Sequence, residues 1–229
     1  GGEGAKREGA GIERGEKWIL ERNGDLATFS MERVQGECGD NHCRAGFSRA
    51  VRELCDENDM MLIFDEVQSG VGITGKMWSW QHFGVEPDMF CFGKKTQVCG
   101  FVSNDRIFDI PDNVFAVPSR INSTWGGNLT DMVRSQRYFE VIEEEKLVEN
   151  AAKVGAYFVS ELQRLQDQFP KLVSSVRGRG LMAAFDLPDG PARDQALQAF
   201  KANDGLVLAS GSLSARCRPG LHRLVGDAG

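Results

Sequence analysis

Two apolar runs in this sequence end in residues that can do chemistry. MLIF (Met61 to Phe64) is followed at once by Asp65, and MFCF (Met89 to Phe92) by Gly93 and the pair Lys94 and Lys95. A short, continuous apolar run reads as a strand buried on both faces. In open α/β sheets, ligands gather beyond the carboxyl ends of such strands, so an acid and an amine are expected at one crevice. A lysine amine can form a Schiff base with a carbonyl compound. A carboxylate beside a pyridine nitrogen keeps that nitrogen protonated and makes the ring an electron sink, so the pair suits pyridoxal 5'-phosphate. The plainer alternative, in which Asp65 caps a loop and both lysines are solvated, is left open by residue types alone.

A second pattern lies between the two runs. Gly70 to Gly75 reads GVGITG, the letters of a dinucleotide-binding fingerprint. That fingerprint must leave a strand and open a helix directly. Here Asp65 to Ser69 intervene, and KMWSWQHFGVEPD beyond it makes a poor helix start, so a turn is expected and a nicotinamide dinucleotide site becomes the remote alternative. His42, His82 and His222 lack metal-ligand spacing. The six cysteines contain no C-x-x-C pair; Cys55 and Cys91 read as buried thiols, and a reducing, cytoplasmic setting is expected. The formal net charge of -6 offers no basic stripe for nucleic acid. No apolar run approaches the roughly 20 residues of a membrane span, and the first residues lack the apolar stretch of a secretory signal.

The elements that must position Asp65 and the lysines can be read by period. Leu26 to Met31 suits a strand; Phe47, Ala50, Val51, Leu54 and Cys55 share one helical face. With the two buried runs, this gives strand, helix, strand, loop, strand, the order of an α/β protein with a mostly parallel sheet. Leu129 to Ile142 predicts a helix, and Leu147 to Leu165 a longer one stopped by Pro170. VRGRGLMAAFDL reads as a strand following two glycines, DQALQAFKA as a short helix and GLVLAS as another strand, together a partial α+β unit. Residues 1–24 are Gly-rich and charged and read as mobile or poorly specified. Three parts are therefore expected: 1–24, a large-domain portion over 25–170 that binds the cofactor, and a partial C-terminal domain over 171–229.

The runs IFDEVQSGVGITGKMW, PDMFCFGKKTQVCG, INSTWGGN and VRGRGLMAAFDL closely resemble the class III aminotransferases, pyridoxal-phosphate enzymes of the aspartate aminotransferase fold (fold type I). GKKTQVCG, NSTWGGN and NVFAVPSR draw the likeness toward the lysine 6-aminotransferase branch, with 4-aminobutyrate aminotransferases next. The resemblance covers roughly residues 29–221. It implies Asp65 against the pyridine nitrogen, Val67 on the ring face and Gln68 near the ring hydroxyl. Lys95 rather than Lys94 matches the Schiff-base lysine, by its distance from the Gly after Cys99. Thr124 would reach the cofactor phosphate of an adjacent subunit, which implies a homodimer with a shared site. Arg216 matches the arginine that takes a substrate carboxylate, for which a guanidinium fork is suited. Glu37 matches a switch glutamate that covers that arginine.

The implied reaction moves an ω-amino group, foremost the ε-amine of L-lysine, to 2-oxoglutarate, giving 2-aminoadipate 6-semialdehyde and glutamate. A 4-aminobutyrate or ornithine type of donor is the alternative. The resemblance also implies that the family's N-terminal part, with its phosphate-gripping turn and stacking aromatic, is not among these residues, so a catalytically inert fragment is a further alternative. Within the matched stretch, Arg33 stands where a proline is expected, Cys38 where a small residue is usual, and Gly220 where the second proline of a pair belongs.

Overall fold

The computed structural model describes residues 2–22, 25–121 and 124–223. They form two compact units, one of residues 1–33, 43–68 and 80–136 and the other of residues 34–42, 69–79 and 137–229.

In the first unit the apolar runs become a four-stranded sheet of β1 (Thr28–Met31), β2 (Met61–Asp65), β3 (Met89–Phe92) and β4 (Gly100–Ser103), in that spatial order. β1, β2 and β3 are parallel, and β4 pairs antiparallel with β3 at the edge. Helix α2 (Ala45–Glu57) connects β1 to β2. Its buried face of Val51, Leu54 and Cys55 meets Leu62 and Phe64, both fully buried in β2, with Met60, Val85 and Ile19 completing the core. Because β2 and β3 run parallel with Asp65 opposite Cys91, their carboxyl ends share one sheet edge. Behind that edge, Asp88 fastens the sheet: its Oδ2 accepts the Leu62 N–H at 2.7 Å and Arg52 Nη1 at 2.8 Å.

Residues 2–21, read as poorly specified, are instead helix α1 (Gly2–Glu21). The glycines that argued against order serve close packing: a Cβ at Gly11 would lie 3.6 Å from Phe47, and one at Gly15 3.3 Å from Leu54. Ile12 and Ile19 pack on the same core. Arg33, the expected proline, is fully buried, its guanidinium 3.8 Å from the Phe83 ring centroid, a cation–π contact.

The second unit carries the antiparallel sheet of β5 (Ser174–Arg179), β6 (Met182–Asp186), β7 (Leu208–Ser210) and β8 (Ser214–Cys217), ordered β5-β6-β8-β7. Helices α4 (Leu147–Gln168) and α5 (Gly190–Ala202) belong to it. Leu162, Ala183, Phe185, Leu187, Ala215 and Cys217 form its core, and burial pushes the Cys217 thiol up to about 12. The strand expected after the two glycines of VRGRGLMAAFDL is β6, and the residues before it add β5, so the stretch is a hairpin. Gly180 turns it at φ +55, where a Cβ would strike the backbone of Ile73 and Thr74.

Helix α3 (Leu129–Glu144) and α4 fall where the periodicity predicts them. The division between units lies at 136/137, with excursions at 34–42 and 69–79, rather than at Pro170. No described helix is long and apolar enough to cross a membrane.

Candidate functional site

The first unit holds the acid and the amine. β2 delivers Asp65 to the sheet edge, where its Oδ1 accepts the Val67 N–H at 2.9 Å. This is the local Asx-type turn that bends a chain away from a strand. Next to it, Glu66 is turned inward and only 1% exposed; its N–H donates to Cys91 O and its Oε1 accepts the Trp80 N–H at 2.8 Å. Of the Asp-Glu pair, Glu66 is thus spent on holding the loop. Asp65 stays partly exposed with its Oδ2 uncommitted among the described residues. Burial, and after it the negative charge of Asp65, raise the neighbouring Cys91 thiol above its ordinary 9.0.

β3 ends at Phe92, and a 3-10 turn over Lys94–Thr96 follows Gly93. The turn is pinned by Thr96, buried, whose Oγ donates to Val98 O at 2.6 Å. It sends its two lysines different ways. Lys94 has φ +52 and is exposed, while Lys95 is half-buried and donates from Nζ to the Gln68 carbonyl at 2.7 Å. Gly93 lets the two loops approach: a Cβ there would lie 3.0 Å from Cys99 Sγ and 3.6 Å from Val67. Asp65, Val67, Gln68 and Lys95 are therefore brought to one sheet edge. Lys94, the neighbour that the resemblance sets aside, faces solvent. What meets Lys95 is the main-chain carbonyl of Gln68, a contact no residue pattern announces.

GVGITG is a run of turns with no helix opening from it, so the dinucleotide geometry is absent at that stretch. Among the described residues no cluster of His, Cys, Asp and Glu could hold a metal.

The second unit brings Glu37 and Arg216 together. Residues 34–42 fold back through the Val34–His42 bridge and the Gln35 N–H to Asn41 O bond, with Gly39 and Asp40 at φ +92 and +50. Arg216, on β8 between β6 and β7, donates from Nη1 to Gly36 O at 2.6 Å and to Glu37 Oε1 at 2.8 Å. Its side chain is 13% exposed and that of Glu37 64%, so a mostly buried cation is covered by a solvent-exposed carboxylate. Arg177 donates to Gly39 O, Asp186 and Ser214, a structural duty, not a free fork. Arg218 pairs with the fully buried Asp40 at 2.5 Å. Thr124 is exposed beside Trp125 in a turn, and Asn122 and Ser123 before it lie outside the described residues.

The family profile for class III aminotransferases matches residues 3–222. The chain belongs to that family. An L-lysine-epsilon aminotransferase of Mycobacterium tuberculosis is 52% identical over 197 residues, 86% of this chain and 44% of that protein. One from Streptomyces clavuligerus is 48% identical over 200 residues, 87% of this chain and 44% of its own length. The solved lysine aminotransferase from M. tuberculosis in the internal aldimine form superposes with TM-score 0.94 at 47% identity, covering 98% of this chain and 52% of that one. The chain thus spans about half the length of the relatives it matches. This class III aminotransferase chain has the family's fold, with the mostly parallel sheet of its large domain and the antiparallel sheet of its small domain. Class III aminotransferases are pyridoxal-phosphate enzymes, and the residues at the β2–β3 edge suit that cofactor: one half-buried amine and one carboxylate with an uncommitted oxygen.

Proposed function

We propose that the protein to which this chain belongs transfers the ε-amino group of L-lysine to 2-oxoglutarate with pyridoxal 5'-phosphate. The observation that carries this reading is the placement of Asp65 at the carboxyl end of β2 and of Lys95 just past that of the adjacent parallel β3. The preference for lysine as donor rests on the likeness to the lysine-epsilon aminotransferases. Donors such as 4-aminobutyrate or ornithine are ranked behind it.

Each residue then has a task. The cofactor, when bound, supplies an electron sink for the carbanion formed at the amine-bearing carbon. Lys95 would carry it through its amine and, once released, move a proton at that carbon as general base and acid. The Gln68 carbonyl, which accepts from Lys95 Nζ, holds the amine at the sheet edge in the meantime. Asp65 would place its charge against the pyridine nitrogen, with its backbone-bonded Oδ1 fixing the carboxylate plane. Val67 would pack on the ring and the Gln68 side chain would bond near the ring hydroxyl. Arg216 would take the α- or γ-carboxylate of a dicarboxylate, and Glu37 would cover it while the amine donor reacts. Thr124 would reach the phosphate of an adjacent subunit in a homodimer. Six free cysteines fit a reducing, cytoplasmic setting.

The test is spectroscopic. Pyridoxal phosphate added to the purified protein should give the visible band of lysine-bound cofactor, lost in Lys95→Ala and kept in Lys94→Ala. L-Lysine should bleach it faster than 4-aminobutyrate or L-ornithine. A band that survives Lys95→Ala overturns the assignment of the lysine; no band at all marks the chain as an inert portion of such an enzyme.

A further inference from the structure

The loop on which Glu37 meets Arg216 is also bonded by a third residue that no sequence motif singles out. Ser210 ends β7, and its side chain is buried, the residue only 3% exposed. Its hydroxyl is used twice, donating to Gly36 O at 3.2 Å and accepting the Gly39 N–H at 2.9 Å. It therefore bridges the two sides of the loop over residues 34–42. Gly36 O is the same oxygen that receives Arg216 Nη1 at 2.6 Å, so both its lone pairs are taken, one by the hydroxyl and one by the guanidinium. The next residue along, Gly211, donates its N–H to Glu37 O at 3.1 Å. The main chain at Glu37 is thus fastened to β7 and the turn after it, which confines movement there to the Glu37 side chain.

The loop needs such fastening. Asp40 holds φ +50 without being glycine, a conformation that costs free energy and persists only where the surroundings impose it. Arg218 on Asp40 and Arg177 on Gly39 O impose it from one side. Ser210 imposes it from the side that carries Arg216.

We propose that Ser210 is a positioning residue for carboxylate recognition: through Gly36 O it orients the Arg216 fork, and together with the Gly211 N–H it restricts the opening of Glu37 to a side-chain rotation on a fixed backbone. The ligand class is a dicarboxylate. The inference rests on the reading of Arg216 as the carboxylate-binding arginine. Without the hydroxyl, Gly36 O loses one of its two donors and Gly39 N–H its acceptor, and the carbonyl that aims Arg216 can tilt.

Glutarate, a dicarboxylate that cannot accept an amine, is the probe. Its dissociation constant is measured by calorimetry on the full chain for wild type, Ser210→Ala and Ser210→Thr, alongside each protein's thermal midpoint. Ser210→Ala should weaken glutarate about 3- to 10-fold, the effect of losing, of its two hydrogen bonds, the one that aims Gly36 O at Arg216. Ser210→Thr, which keeps the hydroxyl, should bind within about twofold of wild type, even if its added methyl lowers the midpoint. A general loss of stability would instead track the midpoint in both variants. If wild type binds glutarate and Ser210→Ala binds it equally well, or Ser210→Thr is as weak as Ser210→Ala, the positioning role is wrong while Arg216 keeps its assignment. If wild type binds no glutarate, the reading of Arg216 itself falls, and this inference with it.

Discussion

The two oxygens of Asp65 have different employment. Oδ1 accepts the Val67 N–H and shapes the loop that leaves β2, while the second oxygen is uncommitted among the described residues. The substitution Asp65→Asn separates the two duties, because an amide oxygen still accepts the Val67 N–H while the negative charge is gone. Stability should change by no more than about 0.5 kcal/mol, as for a partly exposed site whose backbone bond survives. On the proposed function, in which Asp65 would lend its charge to the pyridine nitrogen, losing that charge should slow amine transfer by about 10- to 1000-fold. Urea midpoints and single-turnover rates on L-lysine check the two halves. A variant that keeps its rate would show that Asp65 serves the loop alone. Position 65 was legible in the sequence because a buried strand ends there. The role of Glu66 was not, since nothing in the letters D-E says which carboxylate turns inward to meet the Trp80 N–H.

At the scale of elements, glycines set what can be changed. Gly9 in α1 is exposed, and a methyl group placed on its Cα would meet nothing within 4 Å. Gly9→Ala should therefore stabilise by about 0.5–1 kcal/mol through helix propensity, read as a higher urea midpoint. Gly180, in the β5–β6 turn, has φ +55, and any Cβ there would strike the backbone of Ile73, Thr74 and Gly75. Gly180→Ala should cost at least about 3 kcal/mol, since strain at positive φ adds to a clash with atoms that cannot rotate away. If the two alanines behaved alike, the packing described for this hairpin would be wrong. These glycines also explain what the sequence hid. The spacing of Gly11 and Gly15 looked like disorder because their use lies in the approach of Phe47 and Leu54, residues more than 30 positions away. β5 was missed because SSVRGR carries no apolar period of its own and is specified by its pairing with β6. β2, β3, α2 and α4 were legible, since each carries its period within its own residues. β4 and β8 were not: short edge or late strands with mixed side chains are specified by their partners, and Arg216 is marked by resemblance rather than by any strand pattern around it.

At the scale of the whole molecule, the first unit is tied together by one acid whose neighbours come from three parts of the chain. Asp88 Oδ2 receives the Leu62 N–H of β2, Arg52 Nη1 of α2 and, at 3.2 Å, Arg106 Nη1 beyond β4, while Oδ1 accepts from Asn104 at 3.3 Å. Its side chain is 5% exposed, those of Arg52 and Arg106 18% and 26%. Burial alone would favour the neutral acid, but the Leu62 N–H and the Arg52 guanidinium outweigh it and hold the carboxyl below its ordinary 3.8. A folded pKa below the unfolded one means that this stabilisation is complete above pH ~4 and is lost as pH falls through the folded value. Asp88→Asn keeps an acceptor for the Leu62 N–H but takes from Arg52 and Arg106 the one buried carboxylate they share, leaving only the exposed Asp56, and Asp59 for Arg106, as counter-charges. It should cost about 2–3 kcal/mol at pH 7, less than a fully enclosed pair because both arginines reach water. Urea unfolding of wild type and variant from pH 7 to pH 3, followed by circular dichroism, measures the difference. The gap should be constant down to about pH 4 and narrow below it as the wild-type carboxyl takes up its proton. A gap that stays open at pH 3 would mean the charge of Asp88 is not what joins α2, β2 and the segment after β4.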